Sequence, residues 1–207
     1  MKPNYTDLTI ILDCSRSMNA IADATIEGFN RLVREQQALP GEVTLTLVQF
    51  NERHRVVFQA LPVRDVPALK REQFRLARGT ALLDAVGWTI DETGRRLAAL
   101  AERDRPSQVV VAILTDGLEN TSRRYNRRQV AERIGHQRAV YGWRFLFLGA
   151  NLDAILEGAK LGIDDKSALT FDASAQGSLF AFGSLSKAIR GGGLGTTEWK
   201  RRANCRT

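Results

Sequence analysis

Two unbroken apolar runs constrain the fold more than anything else in the chain: Ile10-Ile11-Leu12 and Val109-Val110-Val111-Ala112-Ile113-Leu114. The first closes on Asp13, and the second, through Thr115, on Asp116. A strand with one wet face alternates apolar and polar residues. A strand without that alternation is covered on both faces, the condition of a parallel sheet packed between helices. In such a sheet, ligand loops lie beyond the carboxyl ends of the strands, near the point where the strand order reverses. Two strands that each end in an aspartate therefore place chemistry at one end of the sheet.

The rest of the chain reads as strand and helix in alternation, which is the pattern of an α/β fold. Strand patterns fall at 8–12, 43–50, 55–60, 109–114, 143–148 and 168–171, with helical patterns at 19–37, 82–101, 129–138 and 174–189. Residues 43–50 and 55–60, joined by the Asn51-Glu52 turn, predict a hairpin at the sheet edge. The stretch 61–78 contains Pro62 and Pro67, has no period, and predicts a loop with a short helix. Leu83, Val86, Ile90, Leu97 and Leu100 recur at near-helical spacing and mark a core face. Asn151 is placed to cap a further helix whose buried face would carry Leu152, Ile155, Leu156 and Ala159.

The segment Asp13-Cys14-Ser15-Arg16-Ser17 puts one carboxylate and two hydroxyls in a single loop. All-oxygen donors suit a hard divalent cation, Mg²⁺ or Mn²⁺, rather than zinc or copper. Loops of this composition also serve as helix caps and turns. Two further segments answer it: Gly79-Thr80, which runs into a helix carrying Asp84, and Thr115-Asp116-Gly117. Taken singly, Thr80 reads equally as an N-cap and Asp116-Gly117 as a tight turn.

In their order and spacing, Asp13-x-Ser15-x-Ser17, Thr80 with Asp84, and Asp116 resemble the von Willebrand factor type A family with a complete metal-ion-dependent adhesion site. Thr25-Ile26-Glu27-Gly28-Phe29-Asn30 and Phe147-Leu148-Gly149-Ala150-Asn151 are similar to small stand-alone bacterial or phage members. The resemblance implies an α/β, doubly wound, mostly parallel six-stranded sheet with one antiparallel edge strand and helices on both faces. It also implies a Mg²⁺ or Mn²⁺ ion held by Asp13, Ser15, Ser17, Thr80 and Asp116, with an open position completed by an Asp or Glu of a partner protein. Neutral hydroxyls leave much of the metal's charge uncancelled, which favours an anionic ligand. Asp84 is expected to steady the loop and the helix dipole rather than to ligate.

Arg16, Arg78, Arg123 and Arg124 flank these segments and predict a cationic rim that would steer an acidic ligand. The alternative is a surface merely rich in arginine, in a chain with a formal net charge of +7. Two other functions are consistent with the composition: a Mg²⁺-dependent phosphohydrolase and an RNA-associated adaptor. Against the first, Ser15 stands where an enzyme of the haloacid-dehalogenase type needs a second aspartate. The only histidines, His54 and His136, are also far in sequence from the loops. Against the second, the chain lacks interleaved aromatic and basic residues. A non-enzymatic, metal-dependent protein-binding module is the expected function.

With 207 residues, of which 43% are hydrophobic, the chain can bury one substantial core, expected over 1–190. A flexible, solvated tail is expected over 191–207, from Gly191-Gly192-Gly193 through Lys200, Arg201, Arg202 and Arg206. No apolar run is long enough to span a bilayer, and the first residues lack a signal-like hydrophobic stretch. The two cysteines, Cys14 and Cys205, argue against a disulfide framework, and the cytoplasm is the expected compartment. Cys14, between motif residues, is expected to point into the core.

Overall fold

The computed structural model describes residues 1–150, 154–191 and 194. One six-stranded sheet has the order β3-β2-β1-β4-β5-β6. Its strands are β1 (Lys2–Asp13), β2 (Glu42–Phe50), β3 (His54–Pro62), β4 (Pro106–Thr115), β5 (Arg144–Gly149) and β6 (Ala168–Thr170). Every neighbouring pair is parallel except β2 with β3, the expected edge hairpin. The order reverses at β1, which lies between β2 and β4, so the loops leaving β1 and β4 open side by side at the switch point.

Alternation along the central strands divides the core in two. Leu8, Ile10 and Leu12 of β1 and Val110, Ala112 and Leu114 of β4 pack under α1 (Ala22–Gln37) and α5 (Ala175–Ile189). Ile11, Val109, Val111 and Ile113 face α2 (Leu82–Ala98) and α3 (Arg127–Tyr141). Gly28 lets α1 approach α5 closely, since a Cβ there would lie 2.4 Å from Cδ2 of Phe182. On the opposite face, Asp7 is 1% exposed and accepts from Nη2 of Arg96 at 2.9 Å and from Oγ1 of Thr44 at 3.0 Å. A buried carboxylate is tolerated when it is paired and hydrogen-bonded in this way.

Several sequence expectations shift. β1 runs back to Lys2, because Thr6 and Asp7 find polar partners in Gln108 and Arg96. The helix expected over 19–37 divides into a 3-10 segment, Arg16–Ile21, and α1. The loop 61–78 contains two 3-10 turns, Val63–Asp65 and Arg71–Gln73, in place of one short helix. Leu194, expected in the solvated tail, is 3% exposed and packs with the α1/α5 core, so apolar contacts run past residue 190. The remaining tail residues from Gly192 to Thr207, including Cys205 and the four tail cations, lie outside the described residues.

The helix after β5 departs most from expectation. Asn151 and Leu152 lie outside the described residues, and α4 spans Ala154–Lys160. Ile155, Leu156 and Ala159 are exposed, whereas Glu157 and Gly158 are buried. Glu157 accepts from Nη1 of Arg127 at 2.5 Å and from Nζ of Lys160 at 2.7 Å, and this pairing turns its face inward. The apolar anchor comes from Leu161 and Ile163 beyond the helix, both buried in the core beneath α2 and α3.

Candidate metal centre

Parallel pairing of Leu12 with Leu114 brings Asp13 and Thr115 out of the sheet as neighbours. Oγ1 of Thr115 donates to Oδ2 of Asp13 at 2.6 Å, and the Ser15 N–H donates to its Oδ1 at 2.7 Å. Asp13 is fully buried, and that burial pushes its pKa up to about 6, against the pull of Thr115 and Ser15. Ser17 Oγ donates to Oδ1 of Asp116 at 2.7 Å, Ser15 Oγ lies 3.4 Å from the same oxygen, and the two hydroxyls are 2.9 Å apart. Burial also raises the Asp116 pKa, with the Ser17 and Ser15 hydroxyls opposing.

Thr80 enters from the second loop. Gly79 has φ +81°, a left-handed conformation that glycine adopts without penalty. Asn120 fixes the next residue from the third loop: its Oδ1 accepts from the Thr80 N–H at 2.9 Å, and its own N–H donates to the Thr80 carbonyl at 3.1 Å. The Thr80 side chain rests over Gly117, where a Cβ would lie 3.3 Å from Oγ1 of Thr80 and 3.9 Å from Oδ2 of Asp13. The N-cap of α2 is Ala81, so the capping alternative for Thr80 does not hold.

The structure therefore brings Asp13, Ser15, Ser17, Thr80 and Asp116 to one place. Their two carboxylates and three hydroxyls form a hard, all-oxygen donor set that fits Mg²⁺ or Mn²⁺. Among the described residues no group of three or more His, Cys, Asp or Glu is placed to hold a metal ion, and here the carboxylates of Asp13 and Asp116 are accompanied by hydroxyls. The Cys14 thiol is buried, and burial raises its pKa, which leaves it a core residue as expected.

Asp84 has a different task. Its Oδ1 accepts from the N–H groups of Arg124 and Tyr125, both at 2.8 Å, and its Oδ2 from that of Arg123 at 2.9 Å. Burial alone would raise its pKa, but the three N–H donors outweigh it and hold the carboxyl below the usual value. The same loop is braced by Glu119, which accepts from the Leu83 N–H at 2.9 Å, and by Ser122, whose Oγ accepts from the Asp84 N–H at 3.0 Å. Sequence reasoning missed Glu119, Asn120 and Ser122. Their clustering directly after Asp116-Gly117, in residue types that cap and turn backbones, was the available signal.

Arg16, Arg78, Arg123 and Arg124 are exposed in these loops. Neither histidine joins the cluster. His54 stacks on Trp88 with ring centroids 4.3 Å apart, and burial followed by the Arg124 charge lowers its pKa. His136 lies exposed on α3 beside Tyr141, within the helix rather than at its end. No helix among the described residues is long and apolar enough to cross a membrane.

No family model and no curated protein matches the chain in sequence. Solved structures do match it in shape. Proximal thread matrix protein 1 from the mussel byssus superposes with a TM-score of 0.60 at 17% identity, covering 89% of this chain and 45% of that one. A further structure of the mussel protein has a zinc-occupied MIDAS motif. Manganese-loaded TRAP protein of Plasmodium vivax gives a TM-score of 0.56 at 15% identity, covering 87% and 73%. The vWF domain of the type V pili tip protein Mfa5 from Porphyromonas gingivalis gives 0.60 at 12%, covering 89% and 95%. The chain thus spans less than half the length of the mussel protein. Identities this low carry the architecture alone, and the architecture is the doubly wound, mostly parallel α/β fold of a von Willebrand factor type A domain.

Proposed function

We propose that this chain is a divalent-metal-dependent protein-binding module, not an enzyme. In this reading Mg²⁺ or Mn²⁺ is held by Ser15, Ser17, Thr80, Asp13 and Asp116, and a partner's Asp or Glu completes the shell. The observation that carries the proposal is the convergence on Asp116 of two hydroxyls from the β1 loop, with the buried Asp13 behind them. When bound, the cation would supply a concentrated positive charge for the incoming carboxylate. Asp13, already fixed by Thr115 and Ser15, would orient the loop and balance that charge from below. The exposed arginines of the rim would raise the encounter rate with an acidic partner. The metal-bearing structures among the fold's neighbours support a divalent ion in general. The cytoplasm is proposed as the compartment, on a cysteine-poor sequence and the free, buried Cys14.

Calorimetric titration with Mg²⁺ and then Mn²⁺, with Asp13→Ala alongside, tests the site. One saturable site lost in the variant, with the fold retained by circular dichroism, is the expected result. Unchanged affinity in both Asp13→Ala and Thr80→Ala would refute the assignment.

A further inference from the structure

The loops around the candidate centre are joined to one another through their main chains. Ala77 N–H donates to Cys14 O, Cys14 N–H to Phe50 O, Glu52 N–H to Arg78 O, Ala81 N–H to Asn51 O, and Asn120 N–H to Thr80 O. Six arginines project from this connected surface: Arg16, Arg53, Arg75, Arg78, Arg123 and Arg124, all exposed. Elsewhere in the molecule many arginines are paired, as Arg31 is with Glu35, Arg96 with Asp7, Arg133 with Asp91 and Arg138 with Asp164. Arg64, Arg105 and Arg190, which form no ion pair among the described residues, are not gathered at the candidate centre. Among the described residues none of the six forms an ion pair. Arg124 feels Asp84, but the oxygens of that carboxylate are already taken by backbone N–H groups.

A cluster of six like charges left without ion pairs around one group of loops is a recognition surface for the opposite charge. Guanidinium forks suit both carboxylates and phosphates. A single-stranded nucleic acid would also need aromatic faces for its bases, and the described residues of this surface offer none in the open. Trp88 is stacked against His54, and among the described residues the one large aromatic that stands exposed, Tyr141, lies at the end of α3, where the chain re-enters the sheet at the amino end of β5. Leu118, two residues from Asp116, is half exposed and gives this face an apolar contact suited to a peptide.

We propose that the partner presents a run of several acidic residues, one carboxylate directed to the metal and its neighbours to the arginines. This rests on the metal-site reading above and extends it from a single completing residue to a multivalent acidic segment. Arg53 and Arg75, which the sequence motifs do not single out, become specificity residues.

The test uses fluorescent hexaglutamate, a Gly/Ser hexapeptide with one central Glu, and hexauridylate, each titrated in Mg²⁺ and in EDTA. In Mg²⁺, hexaglutamate is expected to bind at least about tenfold more tightly than the single-Glu peptide. Arg53→Gln combined with Arg75→Gln should weaken hexaglutamate about five- to tenfold and flatten its salt dependence, with the Mg²⁺ isotherm unchanged. Equal affinities for the two peptides, with sensitivity to EDTA kept, would overturn the acidic-run proposal and leave the metal site standing. Indifference of both peptides to EDTA would overturn the metal reading and the anchoring carboxylate with it. Tighter binding of hexauridylate than of hexaglutamate would overturn the proposal in favour of a nucleic-acid partner.

Discussion

Replacing Asp84 by Asn separates the work of bracing a loop from the work of holding a cation. The carboxylate receives three backbone N–H groups, two on Oδ1 and one on Oδ2. An asparagine with its oxygen in the Oδ1 position keeps the donors of Arg124 and Tyr125 but turns an NH₂ toward the Arg123 N–H. Hydrogen bonds to a charged group are worth about 1.5–3 kcal/mol each; with partial exposure of Asp84, the low end applies, and the net loss is about 1–2 kcal/mol. For a chain of this size that lowers Tm by about 2–8 °C. Amide exchange at Arg123, Arg124 and Tyr125 should accelerate about tenfold, as the loop opens more often. Both Asp84 oxygens are engaged by the backbone, so Mg²⁺ affinity should fall by no more than about threefold, whereas Asp13→Ala abolishes it. Thermal unfolding, hydrogen exchange and calorimetry on the same samples give the answer. Unchanged Tm and amide protection would refute the bracing role. A hundredfold loss of Mg²⁺ affinity with the loop still protected would make Asp84 a ligand and refute the geometric argument.

Other expectations follow from the same geometry. The Asp84 carboxyl is held below its ordinary value of 3.8, so the stability it contributes is present above that pH and is lost as pH falls. The gap in stability between the wild type and Asp84→Asn should therefore close in acid, as followed by urea unfolding at several pH values. Asp13, raised to about 6, works in the opposite sense: its contribution is complete below 3.8 and is lost as pH rises through about 6. Protons then compete with the cation, so Mg²⁺ affinity should drop about tenfold per pH unit below about 6, and pH-independent calorimetric affinity would contradict this. Gly117→Ala would press a methyl against the Thr80 hydroxyl, weakening Mg²⁺ binding with little change in far-UV circular dichroism. Arg96→Met strands the buried Asp7 carboxylate and should cost about 3–5 kcal/mol in urea unfolding. Adding Asp7→Asn should recover part of that loss, and additive losses would argue against a coupled pair.

Much of the fold was legible because burial writes itself into composition. The central strands β1 and β4 lie between two helical layers, so their apolar runs are continuous, and the edge pair β2–β3 announced itself through a short turn. That Asp13, Ser15, Ser17 and Asp116 lie together was legible because each ends a buried strand or follows directly on it, and Thr80 because it stands just before the apolar period of α2. Features set by distant partners were not legible. Glu157 turns inward because of Arg127, thirty residues away, and a helical wheel sees only an amphipathic face with leucines on it. The polar start of β1 is strand because Asp7 meets Arg96 across 89 positions. Asn120 acts on the backbone of the second loop and Glu119 on the first turn of α2 that follows it, roles with no spacing of their own in the sequence.

The main-chain stitching of the four loops has an evolutionary consequence. Hydrogen bonds between peptide groups survive almost any change of side chain, so Arg16, Arg53, Arg75, Arg78, Arg123 and Arg124 can be exchanged without redrawing the frame that carries them. Drift in those six positions would change what the surface prefers while leaving the oxygen cluster intact. A descendant of this chain could change which residues it prefers on either side of the anchoring carboxylate in a few substitutions. The same property makes the face a scaffold on which new specificities can be selected in the laboratory.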